Sequence, residues 1–222
     1  MRIQRLFARA MVVLLIVGIT QQAVFADDAM AGKAEAFIVK LADEAISKLT
    51  DKSIGIEEQE KRFREIVREH IAFNTIARWV LGGHYWRAAT EAQQNRYLGL
   101  FEDLMVATYA HRFQNYDGEK MTVASTRVVE DGQALVQTTL QRPGADKPLR
   151  VDWRVRETDG KLRVIDIMVE GLSMAQTQRS EFSAVLRDNG GNIDGLLDTL
   201  DGRLNSARGE LAKSVKEAAK KS

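Results

Sequence analysis

The chain has no cysteine, two prolines and three histidines in 222 residues. Without cysteine there is no disulfide, no thiolate nucleophile, no Cys-ligated zinc or iron–sulfur cluster, and no N-terminal cysteine to lipidate. His70, His84 and His111 form neither an H-E-x-x-H motif nor a close pair, so a metal site has no support. A surplus of one charge is missing too. The 32 Lys+Arg are balanced by 31 Asp+Glu, unlike the basic stripe of a nucleic-acid binder. Gly82-Gly83 lacks the rest of a phosphate loop. Gly171-Leu172-Ser173-Met174 lacks the second glycine of a nucleophile elbow, and Ser173 reads as a helix N-cap. Asp166 falls mid-strand and Glu170 at the strand exit, so nothing sets the two across one substrate. They read as one exposed and one ion-paired carboxylate. No catalytic residue, metal or cofactor is assigned.

What is present begins with an export signal. Arg2, Arg5 and Arg9 precede the uncharged apolar run Met11–Ile19, and Val24-Phe25-Ala26 offers small residues at the −3 and −1 positions before Asp27. That is the pattern of a secretory signal peptide cleaved after Ala26, and the run is too short to span ~30 Å of hydrocarbon. Removing the three arginines leaves 29 basic against 31 acidic side chains. No later stretch approaches the ~18 apolar residues of a membrane helix. The reading is a soluble protein of a Gram-negative periplasm.

The mature chain shows helices, then strands, then helices. Helical spacing runs over Ala34–Thr50, Glu57–Ile71 and Asn74–Leu81. Thr90 opens a long helix with Gln93 three residues on, a capping box. From Met121 the period becomes two, and Leu149–Glu157 alternates Leu149, Val151, Trp153 and Val155 with Arg150, Asp152, Arg154 and Arg156. The arginines make a wet face, able to meet an acidic partner or a phosphate. Met121–Val129, Gln133–Gln141 and Lys161–Val169 join this strand, with Asp131-Gly132 and Asp159-Gly160 as hairpin turns. Helical pattern resumes at Ser173 and over Ile193–Leu204. The predicted fold is α+β: a four-stranded twisted antiparallel sheet with about six helices buried against one face. A single domain spans 27–206, and 207–222 reads as a charged, flexible tail.

Tyr97, Phe101, Met105, Tyr109 and Phe113 recur at spacings of four, forming one helical stripe aimed at Val151, Trp153, Ile165, Ile167 and Met168 of the sheet. A filled core and an apolar cavity both explain this, and composition does not separate them.

Four segments resemble the MlaC family of periplasmic phospholipid carriers, also described as toluene-tolerance auxiliary proteins. They are Ala77–Trp86 (ARWVLGGHYW) followed by Ala89–Gln93; the helix Tyr97–Tyr116; Val151–Val155 (VDWRV); and Asp166–Met174 (DIMVEGLSM) followed by Arg179–Phe182. The resemblance implies acyl chains in an apolar pocket between sheet and helices, with the head group outside. It identifies Tyr97, Phe101, Met105, Tyr109, Val151, Trp153, Met168, Leu172 and Met174 as pocket wall. The implied role is carriage of phospholipid between an outer-membrane lipoprotein/porin complex and an inner-membrane ABC transporter, maintaining outer-membrane lipid asymmetry. A related branch accompanies hopanoid biosynthesis, so a hopanoid or other apolar lipid is the alternative cargo. A small pocket enzyme on a similar α+β cone would have Asp166 or His84 as its only acid/base candidates. The export reading sets the first expected outcome: N-terminal sequencing of the soluble periplasmic fraction finds a chain beginning at Asp27, whereas full-length chain in the membrane pellet contradicts it.

Overall fold

The computed structural model describes the backbone of residues 4–130 and 132–219 and the side chains of 27–130 and 132–213. The expected signal peptide falls where no side chain is described, and Asp131 of the first expected turn lies outside the described residues. The elements are α1 (Gln4–Leu49), α2 (Ile56–His70), α3 (Phe73–Leu81), α4 (Gly83–Ala88), α5 (Glu91–Tyr109), a 3₁₀ segment (Ala110–Asn115), β1 (Lys120–Glu130), β2 (Gln133–Gln141), β3 (Leu149–Thr158), β4 (Lys161–Val169), β5 (Leu172–Ser173), α6 (Met174–Asp188) and α7 (Ile193–Ala219). The fold is α+β as predicted, with five strands rather than four and seven α-helices rather than about six among the described residues. The extra strand is a two-residue return that pairs Leu172 with Val169 and Ser173 with Met168.

The sheet is an antiparallel meander in the order β1-β2-β3-β4-β5. Asp159 (φ 51°) and Gly160 (φ 70°) both occupy the left-handed region. That is the two-residue turn whose twist matches paired strands. The α5 N-terminus is closed by the expected box, with Gln93 N donating to Thr90 Oγ1 at 3.2 Å and Thr90 N to Gln93 Oε1 at 3.0 Å. Helix α1 stops where α2 supplies its donors. Gln59 Nε2 donates to the Leu49 carbonyl at 2.8 Å and Arg62 Nη1 to the Lys48 carbonyl at 3.1 Å, satisfying carbonyls that a helix end leaves open.

The helices do not all bury against one sheet face, as the sequence reading expected. Two cores form instead. In the first, Ala34, Ile38, Leu41 and Leu49 of α1 and Ile66 of α2 pack on Ala134, Val136, Val155 and Val164 of the sheet. In the second, Ala77, Val80 and Leu81 of α3, Tyr97, Phe101 and Leu104 of α5, Phe182 and Leu186 of α6, and Leu196, Leu197 and Leu200 of α7 pack on one another. The long helix α5 therefore lays its aromatic stripe into a helical bundle, which meets the sheet through α3 and α6 on β4. The cause is α7: its row of leucines competes for the α5 stripe and wins it. Beyond Leu204 the helix continues to Ala219, and the described side chains there are exposed or half-buried.

Phe182 is the centre of the bundle, edge-on to the rings of Tyr97 at 6.2 Å and Phe101 at 5.6 Å. Phe182→Ala is expected to cost about 3–5 kcal/mol through lost burial and a residual cavity. Urea unfolding measures it.

Candidate functional site

A cleft of about 700 Å³ opens where the two cores meet. Its walls are the α2–α3 junction (Arg68, Ile71 to Thr75), one side of α5 (Leu98, Gly99, Glu102) and the β3–β4 hairpin (Arg156, Thr158, Asp159, Lys161, Arg163, Ile165). Local structure makes each wall. Ile71 leaves the helix in an extended conformation (φ −103°, ψ 138°) and bridges Val164, while Ala72 N donates to the Val164 carbonyl at 2.9 Å. The α2–α3 link thus lies along the edge of β4. Gly99 leaves the α5 wall bare: a Cβ built there meets nothing within 4 Å. The third wall depends on a bulge. Arg154 pairs with Asp166 but Val155 pairs with Val164, so Ile165 is an inserted residue. The sequence reading put Ile165 and Ile167 on one face; the bulge separates them. Ile167 packs in the α1 core while Ile165 lines the cleft.

The cleft rim is charged. Glu102 accepts from Arg68 Nε at 2.6 Å and Arg68 Nη2 at 2.9 Å, with Arg64 Nη1 at 3.1 Å. The Arg68 hydrogen bonds, with the Arg64 charge beside them, hold the Glu102 carboxyl below the ordinary glutamate value against its partial burial. Phe73, Leu98, Ile71 and Ile165 form the apolar part of the lining.

None of the nine side chains expected to bound a pocket lines this cleft. Tyr97 and Phe101 are buried in the helical core, stacked at 5.8 Å, with Met105 against the same cluster. The Tyr97 hydroxyl donates to the Ala77 carbonyl at 2.9 Å, and burial pushes its pKa far up. Tyr109 is half-buried beneath Arg112. Trp153 faces the α1 core, where its Nε1 donates to Thr138 Oγ1 at 3.1 Å. Val151 sits two residues before it on the same strand face. Met168 is on the opposite face, across from Asp152. Leu172 is 72% exposed on β5 and Met174 begins α6.

The two acid/base candidates also stand away from the cleft. His84 is exposed on α4. Asp166 is half-buried and not simply solvated: it accepts from Ser173 Oγ at 2.6 Å, Ile167 N at 2.9 Å and Ala175 N at 3.2 Å, while Ser173 Oγ accepts from Gln176 N at 3.0 Å. It is a joint between β4, β5 and α6. Glu170 is the exposed carboxylate of the expected pair and accepts from the Arg150 backbone N–H at 2.7 Å, while the expected ion pair is absent from both among the described residues. Elsewhere, Glu44, Glu69 and His70 bring three possible ligand atoms within 4.8 Å. Lys48 already places its ammonium 2.7 Å from Glu44 there. The 26-residue separation of Glu44 and His70 hides this contact from motif reading.

Against known proteins, the family model described as "MlaC protein" matches residues 39–202. The chain belongs to the MlaC family. Among curated relatives, the toluene tolerance protein ttg2D of Pseudomonas putida is 26% identical over 134 residues, 60% of this chain and 61% of that protein. The chain thus spans under two thirds of that relative's length. The intermembrane phospholipid transport system binding protein MlaC of Haemophilus influenzae is 23% identical over 163 residues, 70% of this chain and 75% of that protein. Among solved structures, the phospholipid-binding protein of Ralstonia solanacearum, in complex with a phospholipid, shares the fold. Its TM-score is 0.71 at 22% identity, over 79% of this chain and 98% of that one.

In this MlaC-family chain the helix Tyr97–Tyr116 gives the cleft Leu98, Gly99 and Glu102, while the other segments that carry the resemblance are joints. Arg179 lies over the Trp79 ring at 4.8 Å and donates to the Trp79 carbonyl, tying α6 to α3. Arg78 covers Trp86 at 4.8 Å. Asp166 and Ser173 make the β4–α6 corner described above. Of the cleft residues the sequence reading did not single out, Phe73 and Arg163 lie outside every motif, and Leu98 lies within the Tyr97–Tyr116 segment without being marked by it. A mid-helix glycine beside Leu98 was the available signal, since an exposed Ala would serve the helix better by ~0.5–1 kcal/mol.

The Glu102 cluster generates a pH prediction. A carboxyl held below its ordinary value contributes stability that is fully present above the unfolded-state pKa, about 4.3. That stability is lost as pH falls through the folded value. Thermal melts from about pH 6 down to about pH 3 are expected to fall less steeply for Glu102→Gln than for the parent. Identical slopes would remove Glu102 from the acid response.

Proposed function

We propose that this protein is a periplasmic phospholipid carrier whose acyl chains lodge between the helical bundle and the sheet, entering at the cleft beside Gly99. The chain belongs to the MlaC family, and in this proposal it is a lipid carrier and not an enzyme. The observation that carries the proposal is the position of the cleft. It opens between two separately packed cores and has Phe73, Leu98, Ile71 and Ile165 on its inner surface. Parting the two packed units widens the cleft. The relatives named for phospholipid transport and phospholipid binding supply the class of cargo.

Carriage makes simple energetic demands. Two chains of about 16 carbons are worth ~25 kcal/mol of burial at roughly 0.8 kcal/mol per CH₂. Extraction from a bilayer forfeits nearly the same amount, so exchange between membrane and protein runs near thermoneutral. Direction then comes from partners. In this reading the exported protein, cleaved after Ala26, passes lipid between an outer-membrane lipoprotein/porin complex and an inner-membrane ABC transporter, and so maintains outer-membrane lipid asymmetry. Among the described residues no helix is long and apolar enough to cross a membrane. The sequence-selected pocket residues remain part of the proposal as second-stage wall: Tyr97, Phe101, Met105, Tyr109, Val151, Trp153, Met168, Leu172 and Met174 lie on the elements that part when chains enter.

Gly99 separates this reading from an ordinary surface groove. Gly99→Ala, a helical position with open space, is expected to stabilise the protein by about 0.5–1 kcal/mol. Gly99→Trp should fill the cleft, keep the melting temperature, and lower copurifying phospholipid several-fold in extracts measured by mass spectrometry. A folded tryptophan variant carrying the parent's full complement of lipid sinks the assignment of the entry point.

A further inference from the structure

The register of the β3–β4 hairpin sets like charges opposite each other at the cleft mouth. Arg156 pairs directly with Arg163, and the next pair is Thr158 with Lys161. All four line the cleft. They share the sheet face turned away from Trp153 and Val155, since the register pairs Val155 with Val164 and Trp153 with Ile167 on the other face. Cβ atoms of such cross-strand partners stand about 4.5–5.5 Å apart, and like charges there are destabilising. The carboxylates of the same lining, Glu102 and Asp159, do not neutralise them: Glu102 is held by Arg68 and Arg64. Among the described residues, Arg156, Lys161 and Arg163 make no side-chain hydrogen bond and no ion pair, and Asp159 in the adjoining turn pairs with none of them. Arg154, two residues before Arg156 on the same face, is likewise unpaired among the described residues but lies outside the cleft lining, whereas two other arginines are engaged by carboxylates. Arg68 is engaged by Glu102, and Arg150 by the buried Asp152, with Nη2 to Oδ2 at 2.6 Å.

We propose that this unpaired cationic lip recognises the phosphate of a lipid head group of net negative charge. The inference rests on the carrier reading above and adds a head-group class to it. Two guanidinium forks on facing strands match the geometry of phosphate oxygens, and an anion between them relieves the repulsion that the register imposes. Lys161 and the Thr158 hydroxyl add donors on the same face. Ile165 follows Arg163 by two residues on the bulged strand, and Phe73 and Leu98 line the same cleft, so a phosphate held at the lip leaves its chains directed at the apolar surface. A zwitterionic head group would return a cation to a lip that already carries three, which disfavours it.

The test loads the mature protein from vesicles of equimolar phosphatidylglycerol and phosphatidylcholine, re-isolates it, and measures both lipids by mass spectrometry. The parent is expected to enrich phosphatidylglycerol about fivefold, the scale of two partly exposed charge contacts, and less in high salt. Arg156→Gln/Arg163→Gln is expected to bring the ratio near unity. The lipid-free double variant should melt no lower than the parent, because a repulsive pair has been removed. If that variant does not fold, Lys161→Gln is expected to halve the enrichment or more. Lipid loaded at an unchanged ratio in the folded variants overturns the head-group assignment and leaves the carrier reading standing. Failure of the parent to load either lipid overturns the carrier reading itself. A third arm adds inorganic phosphate to the lipid-free parent. If millimolar phosphate raises its melting temperature, and the double variant loses that response without any change in lipid ratio, the lip takes free phosphate and the lipid assignment is wrong.

Discussion

One inserted residue organises the molecule. On a regular strand Val164 and Ile167, three apart, would face opposite ways, yet both belong to the α1 core. The bulge at Ile165 makes this possible by shifting the β3–β4 pairing between Val155 and Arg154. The same shift brings Ile165 to the cleft and presents Asp166 to the start of α6, where it holds Ser173 and Ala175. Without the extra residue β4 would serve one core and have no means of holding the second. The α2–α3 link then closes over β4 through Ile71 and Ala72, and the cleft is the space left between that link, the hairpin and α5.

Two cores instead of one is an arrangement suited to binding a long apolar ligand. A single close-packed interior resists insertion because overpacking by even a few methylenes costs about 1–3 kcal/mol. Here the bundle of α3, α5, α6 and α7 is complete in itself, with Tyr97 satisfied by the Ala77 carbonyl. The α1–sheet core is likewise closed, with Trp153 and Thr138 bonded to each other. The residues that fasten the boundary between the cores are polar: Asp166 at one end, the Arg68–Glu102 contact at the other. The first is a carboxylate that accepts three hydrogen bonds and the second a bidentate Arg–carboxylate pair.

Much of the fold was legible from pattern. The strand Gln133–Gln141 and the strand Lys161–Val169 are found with the expected bounds, the Thr90–Gln93 cap is present, and Asp159-Gly160 turns as its sequence requires. These are decided by interactions within a few residues: side-chain alternation, a local hydrogen bond, a tolerated positive φ. The family, too, was legible, because its motifs lie in contiguous segments. The site was not. Tyr97, Phe101 and Met105 form the apolar stripe that their spacing announces, but periodicity states only that a face is buried, not what buries it; the leucines of α7 do so, about a hundred residues further along the chain.

The sequence by itself determined the element types, their order, the antiparallel meander and the family, since each follows from local periodicity or from contiguous motifs. The tertiary structure alone decided which helix faces meet, that Ile165 and Ile167 part company, and that Arg156 stands opposite Arg163. Those outcomes depend on register and on competition between distant apolar faces for the same partner. A one-residue slip in pairing reverses every side chain on a strand, and no short-range signal in the chain encodes where that slip is placed.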